Sequence, residues 1–143
     1  MKGKAIVLLL VVACAVLLGV PRYGYRVDKA QLTEAMALTF QFKPALSQHF
    51  TAHGSFLGVK HESLPGTREG EYVGAIAFSS TRGDNITVTA SFRETALFGQ
   101  FSGKSFSIAT LDGGRTWKCI MPVIHVGFFT PTSDLLQTLK PCN

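Results

Sequence analysis

Cysteine is scarce in this chain, and any close grouping of the residues that do chemistry is missing. There are three cysteines. Cys14 lies inside an apolar run, where a free thiol behaves as a small hydrophobe and cannot reach the other two. Cys119 and Cys142 remain, and such a pair fits an oxidising compartment outside the cytoplasm. Clustered charge is also absent. The 14 Lys and Arg exceed the 9 Asp and Glu, for a net charge of +5. That sign permits attraction to nucleic acid or an anionic surface, but the cations are scattered rather than gathered in a stripe.

No catalytic constellation stands out. His49 and His53 are one helical turn apart, a spacing that can hold a metal, but no third ligand is near in sequence and a solvated helix end is the plainer reading. His61 and His125 are isolated. Cys119 beside His125 could be a nucleophile, yet Cys142 offers it a structural partner. Arg82-Gly83-Asp84 has the composition of a hairpin turn more than of an adhesion motif, and Asn85-Ile86-Thr87 is a glycosylation sequon by pattern alone. The reading is of a non-enzyme without cofactor or metal.

What the chain does have is one unbroken apolar run, residues 5–20, carrying Ala5, Leu9, Val12, Val16 and Val20 and ending at Pro21. At about 16 residues it falls short of the roughly 20 that span a bilayer as a straight helix. Lys2 and Lys4 before it and Tyr23 and Tyr25 after it can extend it by snorkelling and interfacial anchoring. A single membrane span with a cytoplasmic N-terminus is the expectation. A cleaved signal peptide ending at Ala13-Cys14-Ala15, or a lipobox at Val11-Val12-Ala13-Cys14, would use the same residues. The hydrophobicity running on through Val16-Leu17-Leu18 argues against both.

Beyond the run, apolar residues recur at helical spacing over 26–53: Val27, Ala30 or Gln31, Ala35, Leu38, Phe42, Ala45 or Leu46, and Phe50, with Leu32, Met36 and Phe40 widening the face. The pattern predicts one long helix from near residue 5 to near 52, bent at Pro21 and Pro44 and capped by Gly54. Residues 55–70 carry glycine and proline without period and read as a loop. Runs at 72–78, 86–92, 105–109 and 116–121 alternate and are rich in β-branched and aromatic residues, which predicts an antiparallel sheet of about four strands. Its inward face, with Ile76, Val88, Phe106 and Trp117, is expected to meet Leu38, Phe42, Leu46 and Phe50 of the helix. Phe98 and Phe101 read as core, or as a contact surface beside Gly99 and Gly103. The fold class is α+β: 1–25 forms the apolar half of the helix, 26–53 its amphipathic half, and 54–143 a head whose segment 119–142 is a loop. One domain fits the length.

Particular stretches resemble the type IVa pilins. Val20-Pro21-Arg22-Tyr23 followed by Lys29-Ala30-Gln31-Leu32-Thr33-Glu34-Ala35-Met36 is similar to the place where the pilin helix passes a proline and tyrosine into its alanine, glutamine and serine-glutamate-alanine stretch. Gln48-His49-Phe50 through His53-Gly54 resembles the end of that helix, and Glu71-Tyr72-Val73 the first strand. Gly103-Lys104 and Trp117-Lys118-Cys119 resemble the last strands, and Leu139-Lys140-Pro141-Cys142 the close of the disulfide loop. The resemblance implies a ladle with a half-protruding helix and a Cys119–Cys142 disulfide. It implies a place in a type IV pilus beside other pilin subunits, reached from the inner membrane with a periplasmic head through the pilus assembly machinery.

One departure bears on assembly. Pilins carry a glycine, an aromatic residue and a Thr-Leu-Ile-Glu run where the leader is cleaved and the Glu meets a neighbour's amine. Here Gly3 and Lys4 stand there, with Lys4 at the register of the Glu. A cation would repel that amine in an apolar core, which directs the expectation to a minor, capping, accessory or decayed pilin. The alternative is a membrane-anchored module that binds DNA or a surface, with Lys104, Arg115, Lys118 and Lys140 as its phosphate contacts. A lipid-anchored periplasmic protein is a remoter one.

Overall fold

The computed structural model of the chain describes residues 2–94 and 100–121. Two helices lead it. α1 (Lys2–Phe40) has 39 residues, and α2 (Phe42–His53) follows after the single turn residue Gln41. The interruption expected at Pro21 does not occur, since α1 continues through it. The one expected from Pro44 does occur, and it falls at Gln41. Proline has no N–H for the Phe40 carbonyl four residues back, and its ring crowds that carbonyl. Pro44 itself lies in the first turn of α2, where a missing donor costs nothing. α2 ends as its sequence indicates: Gly54 adopts φ 68° and its N–H donates to Phe50 O at 2.7 Å, a left-handed cap that glycine enters without a Cβ penalty.

The sheet is an antiparallel meander of β1 (Val73–Ser79), β2 (Ile86–Phe92), β3 (Ser105–Thr110) and β4 (Lys118–Ile120), in the order β1-β2-β3-β4. β4 is shorter than the run at 116–121 because its beginning is bound into the preceding turn. Thr116 N–H donates to Asp112 at 2.9 Å and the Trp117 ring N–H to Gly114 O at 3.1 Å. β2 shows the alternation most plainly, with Ile86, Val88, Ala90 and Phe92 buried between less buried Thr87, Thr89 and Ser91. Register sets Val88 between Phe78 and Ile108, and Ala90 between Ile76 and Phe106.

That inward face meets the second half of α1, and Phe42 and Leu46 of α2, in one core containing Leu32, Ala35, Met36, Phe42, Leu46, Ile76, Val88 and Phe106. Phe42 and Leu46 are wholly buried, while Leu38, Phe50 and Trp117 pack against the core from its edge. Phe42 meets Phe78 edge-on at 5.1 Å, and Phe50 meets Phe56 at 4.9 Å, contacts worth about 0.5–1.5 kcal/mol each beyond area burial. Phe101 is fully buried against Phe92, so it is core and no contact surface. Phe98 lies outside the described residues.

The first half of α1 reaches none of this core. Among the described residues no helix is long and apolar enough to cross a membrane, which departs from the expected single span. The charge-free stretch from 5 to 21 rises about 26 Å at 1.5 Å per residue, against a hydrocarbon core about 30 Å thick.

Candidate functional site

Along the arm formed by the first half of α1, apolar side chains point to solvent on every side. Exposure runs from 55% at Val12 and Val16 to 71% at Leu9 and 72% at Leu17, and Ala5, Gly3 and Lys4 are exposed as well. Val20 and Pro21 belong to the same helix, with side chains outside the description; Tyr23 beyond them is 59% exposed. A helix apolar all round is stable only when surrounded. Such a surface, far larger than scattered exposed leucines, marks a place that another molecule covers.

Beyond the arm, three polar side chains of the helical region fasten its packed part to the head. The buried Asp28 accepts Gln100 N–H at 2.7 Å. Glu34 Oε1 accepts from Tyr72 N–H at 3.0 Å and Val73 N–H at 2.9 Å, seizing the start of β1. Gln41 donates to Thr67 O at 2.6 Å and accepts Thr67 N–H at 3.1 Å, so the residue that breaks the helix also pins the loop. Burial holds the Asp28 carboxyl above its usual range, opposed in part by the Gln100 hydrogen bond and the positive charge of Lys104. Gln31, one turn on from Asp28, is fully buried with neither amide atom hydrogen-bonded, at a cost of about 1–3 kcal/mol. Sequence reasoning missed Asp28 and Gln41 as ties. The available signal was polar residues on a face otherwise filled by Val27, Leu32 and Ala35.

The head's charged surface does not form a stripe. Arg115 and Lys118 are exposed near the turn between β3 and β4, while Lys104 sits half-buried at the other end of β3 and is already engaged. Lys140 lies outside the described residues. Asp112 organises that turn, accepting from Thr116 O–H at 2.6 Å, Thr110 O–H at 2.8 Å and Arg115 N–H at 3.0 Å. Gly113 takes φ 73° with its Cα against the Phe50 ring, where a side chain would collide. The Arg82-Gly83-Asp84 turn is structural too. Gly83 O accepts Phe56 N–H and Asp84 O accepts Gly113 N–H. Both ends of the Asn85 amide are engaged by Thr81 and Arg82, which ties the turn together. Cys119, on β4 opposite Ile108, is half-buried; Cys142 lies outside the described residues, and the expected pairing with it.

A family model described as Pilin, a bacterial filament, matches residues 29–137. The chain is a pilin. The matched span begins within the packed half of α1 and takes in the whole sheet. The pilin is also similar to fimbrial protein EcpC of Eikenella corrodens, at 25% identity over 125 residues, covering 82% of this chain and 81% of that protein. The family is a structural one whose members assemble with other pilin subunits, so the pilin is a pilus or fimbrial subunit and belongs at the cell surface. Its α+β fold, a long helix on a four-stranded antiparallel sheet, agrees with that assignment.

Proposed function

We propose that this pilin enters a type IV pilus through its apolar arm and occupies a minor, capping or accessory position. The observation that carries the reading is the exposure of Ile6 through Val12, at 55% to 71%, on a helix whose second half packs one face on the head. Packing arms from several subunits into one bundle removes that surface from water, at about 25 cal/mol per Å². Exposed Lys4 at the arm's end supports the minor position. Repeated burial of a cation beside each neighbour's amine is costly, whereas one such subunit among acidic neighbours is not. The assembly machinery brings the arm into that bundle. A Cys119–Cys142 disulfide closes the loop beyond β4; it is supported by the position of Cys119 on that short edge strand, while Cys14 is free on the arm.

The test is recovery of the chain in sheared pili. Leu9→Asp or Val12→Asp is expected to remove it from the sheared fraction while the head stays folded, and Lys4→Glu to increase its incorporation. Unchanged recovery in all three variants would contradict entry through the arm.

A further inference from the structure

α2 ends in two histidines one turn apart whose arrangement goes beyond helix capping. The His49 and His53 rings stack with centroids 4.3 Å apart and planes 20° apart. His53 Nδ1 lies 3.0 Å from the backbone oxygen of His49. A carbonyl only accepts, so Nδ1 carries the proton and the neutral ring keeps its free lone pair on Nε2. Donation from one ring nitrogen to a backbone carbonyl is the device that fixes the tautomer and orientation of a metal-binding imidazole.

Three further features favour a cation there. His53 is exposed and His49 half-buried, so solvent reaches the pair. The last turn of α2 carries the partial negative charge of a helix C-terminus. Arg115 lines a groove with Ser47, Phe50 and Thr51, which at 100° per residue is the far side of α2 from positions 49 and 53. The geometry points to a two-imidazole site for a divalent transition cation of the zinc class, held by His49 and His53. Among the described residues no group of three His, Cys, Asp or Glu side chains could hold a metal, so water completes the coordination shell. With the His53 ring held by the His49 carbonyl, rotation of the His49 ring brings its nitrogen onto an ion about 2.0–2.1 Å from each nitrogen, because positions i and i+4 share one helix face. The ion ties the last turn of α2 together and resists its fraying.

Zn²⁺ is titrated into the full chain in detergent micelles, in competition with a colorimetric chelator and in a Cys14→Ser background that removes a competing thiolate. One saturable Zn²⁺ per chain is expected, together with a melting temperature that rises with Zn²⁺ because only the folded helix presents both rings. His49→Gln and His53→Gln are each expected to lose the uptake and the rise, and His61→Gln and His125→Gln to keep both. Absence of uptake by the parent chain, or its survival in the His49→Gln/His53→Gln double variant, would overturn the site. Pilus recovery is not a readout, so the outcome is separate from that of the arm.

Discussion

Asp28 and Asp112 are displaced in opposite directions, and each gives stability its own pH dependence. Burial raises the folded-state pKa of Asp28 above 3.8. The native chain therefore holds that proton more tightly, and the stability it contributes is full below pH 3.8 and lost as pH rises through the folded value. Asp112 is held at about 2, first by the Thr116 hydroxyl and N–H and then by Thr110. Its contribution is present above pH 3.8 and lost as pH falls through about 2. Asp28→Asn keeps an oxygen for Gln100 N–H without a buried charge, and is expected to raise the melting temperature at pH 7 and leave it unchanged near pH 3. Asp112→Asn is expected to lower it at pH 7, with the deficit vanishing toward pH 2. Circular-dichroism melts across pH check both; a destabilised Asp28→Asn at pH 7 would contradict the assignment of burial as the leading cause. None of this is legible in the sequence. An aspartate one position past Val27 reads as solvated until the loop at Gln100 is seen to cover it, and that contact joins residues 72 apart.

Elements are far more readable than contacts. The helical period over 26–53 and the alternation in β1 to β3 are local properties of the chain, and they place those elements within a residue or two. Where boundaries shift, the causes are not local: Pro44 acts on the carbonyl four residues before it, so its break appears at Gln41, and Asp112 holds Thr116 out of β4. β4 is left with three residues at the sheet's edge, short enough to need support beyond its pairing with β3. The proposed Cys119–Cys142 disulfide supplies it. Closing a loop of about 22 residues contributes roughly 3 kcal/mol, chiefly by restricting the unfolded chain. Non-reducing peptide mapping is expected to recover Cys119 joined to Cys142 with Cys14 free. Two free thiols in periplasmic material would exclude the staple.

At the scale of the whole molecule, one continuous α1 joins the packed core of the head to a helical arm that, among the described residues, has no partner of its own. The division between them is legible in the sequence as the change from unbroken apolar residues to an amphipathic period after Pro21. What joins them is not, because Glu34 and Gln41 act through backbone groups of β1 and the loop before it, which no local pattern announces. The arm's role can be read at its one thiol. Cys14 is free and exposed in the isolated chain, and a filament core of packed arms would seal it from water. Sheared pili treated with a charged, membrane-impermeant maleimide before and after detergent dissociation provide the most direct measurement. Entry through the arm requires the chain in the sheared fraction, with Cys14 labelled only after dissociation; a chain confined to the cell body, or Cys14 labelled in intact filaments, would contradict it.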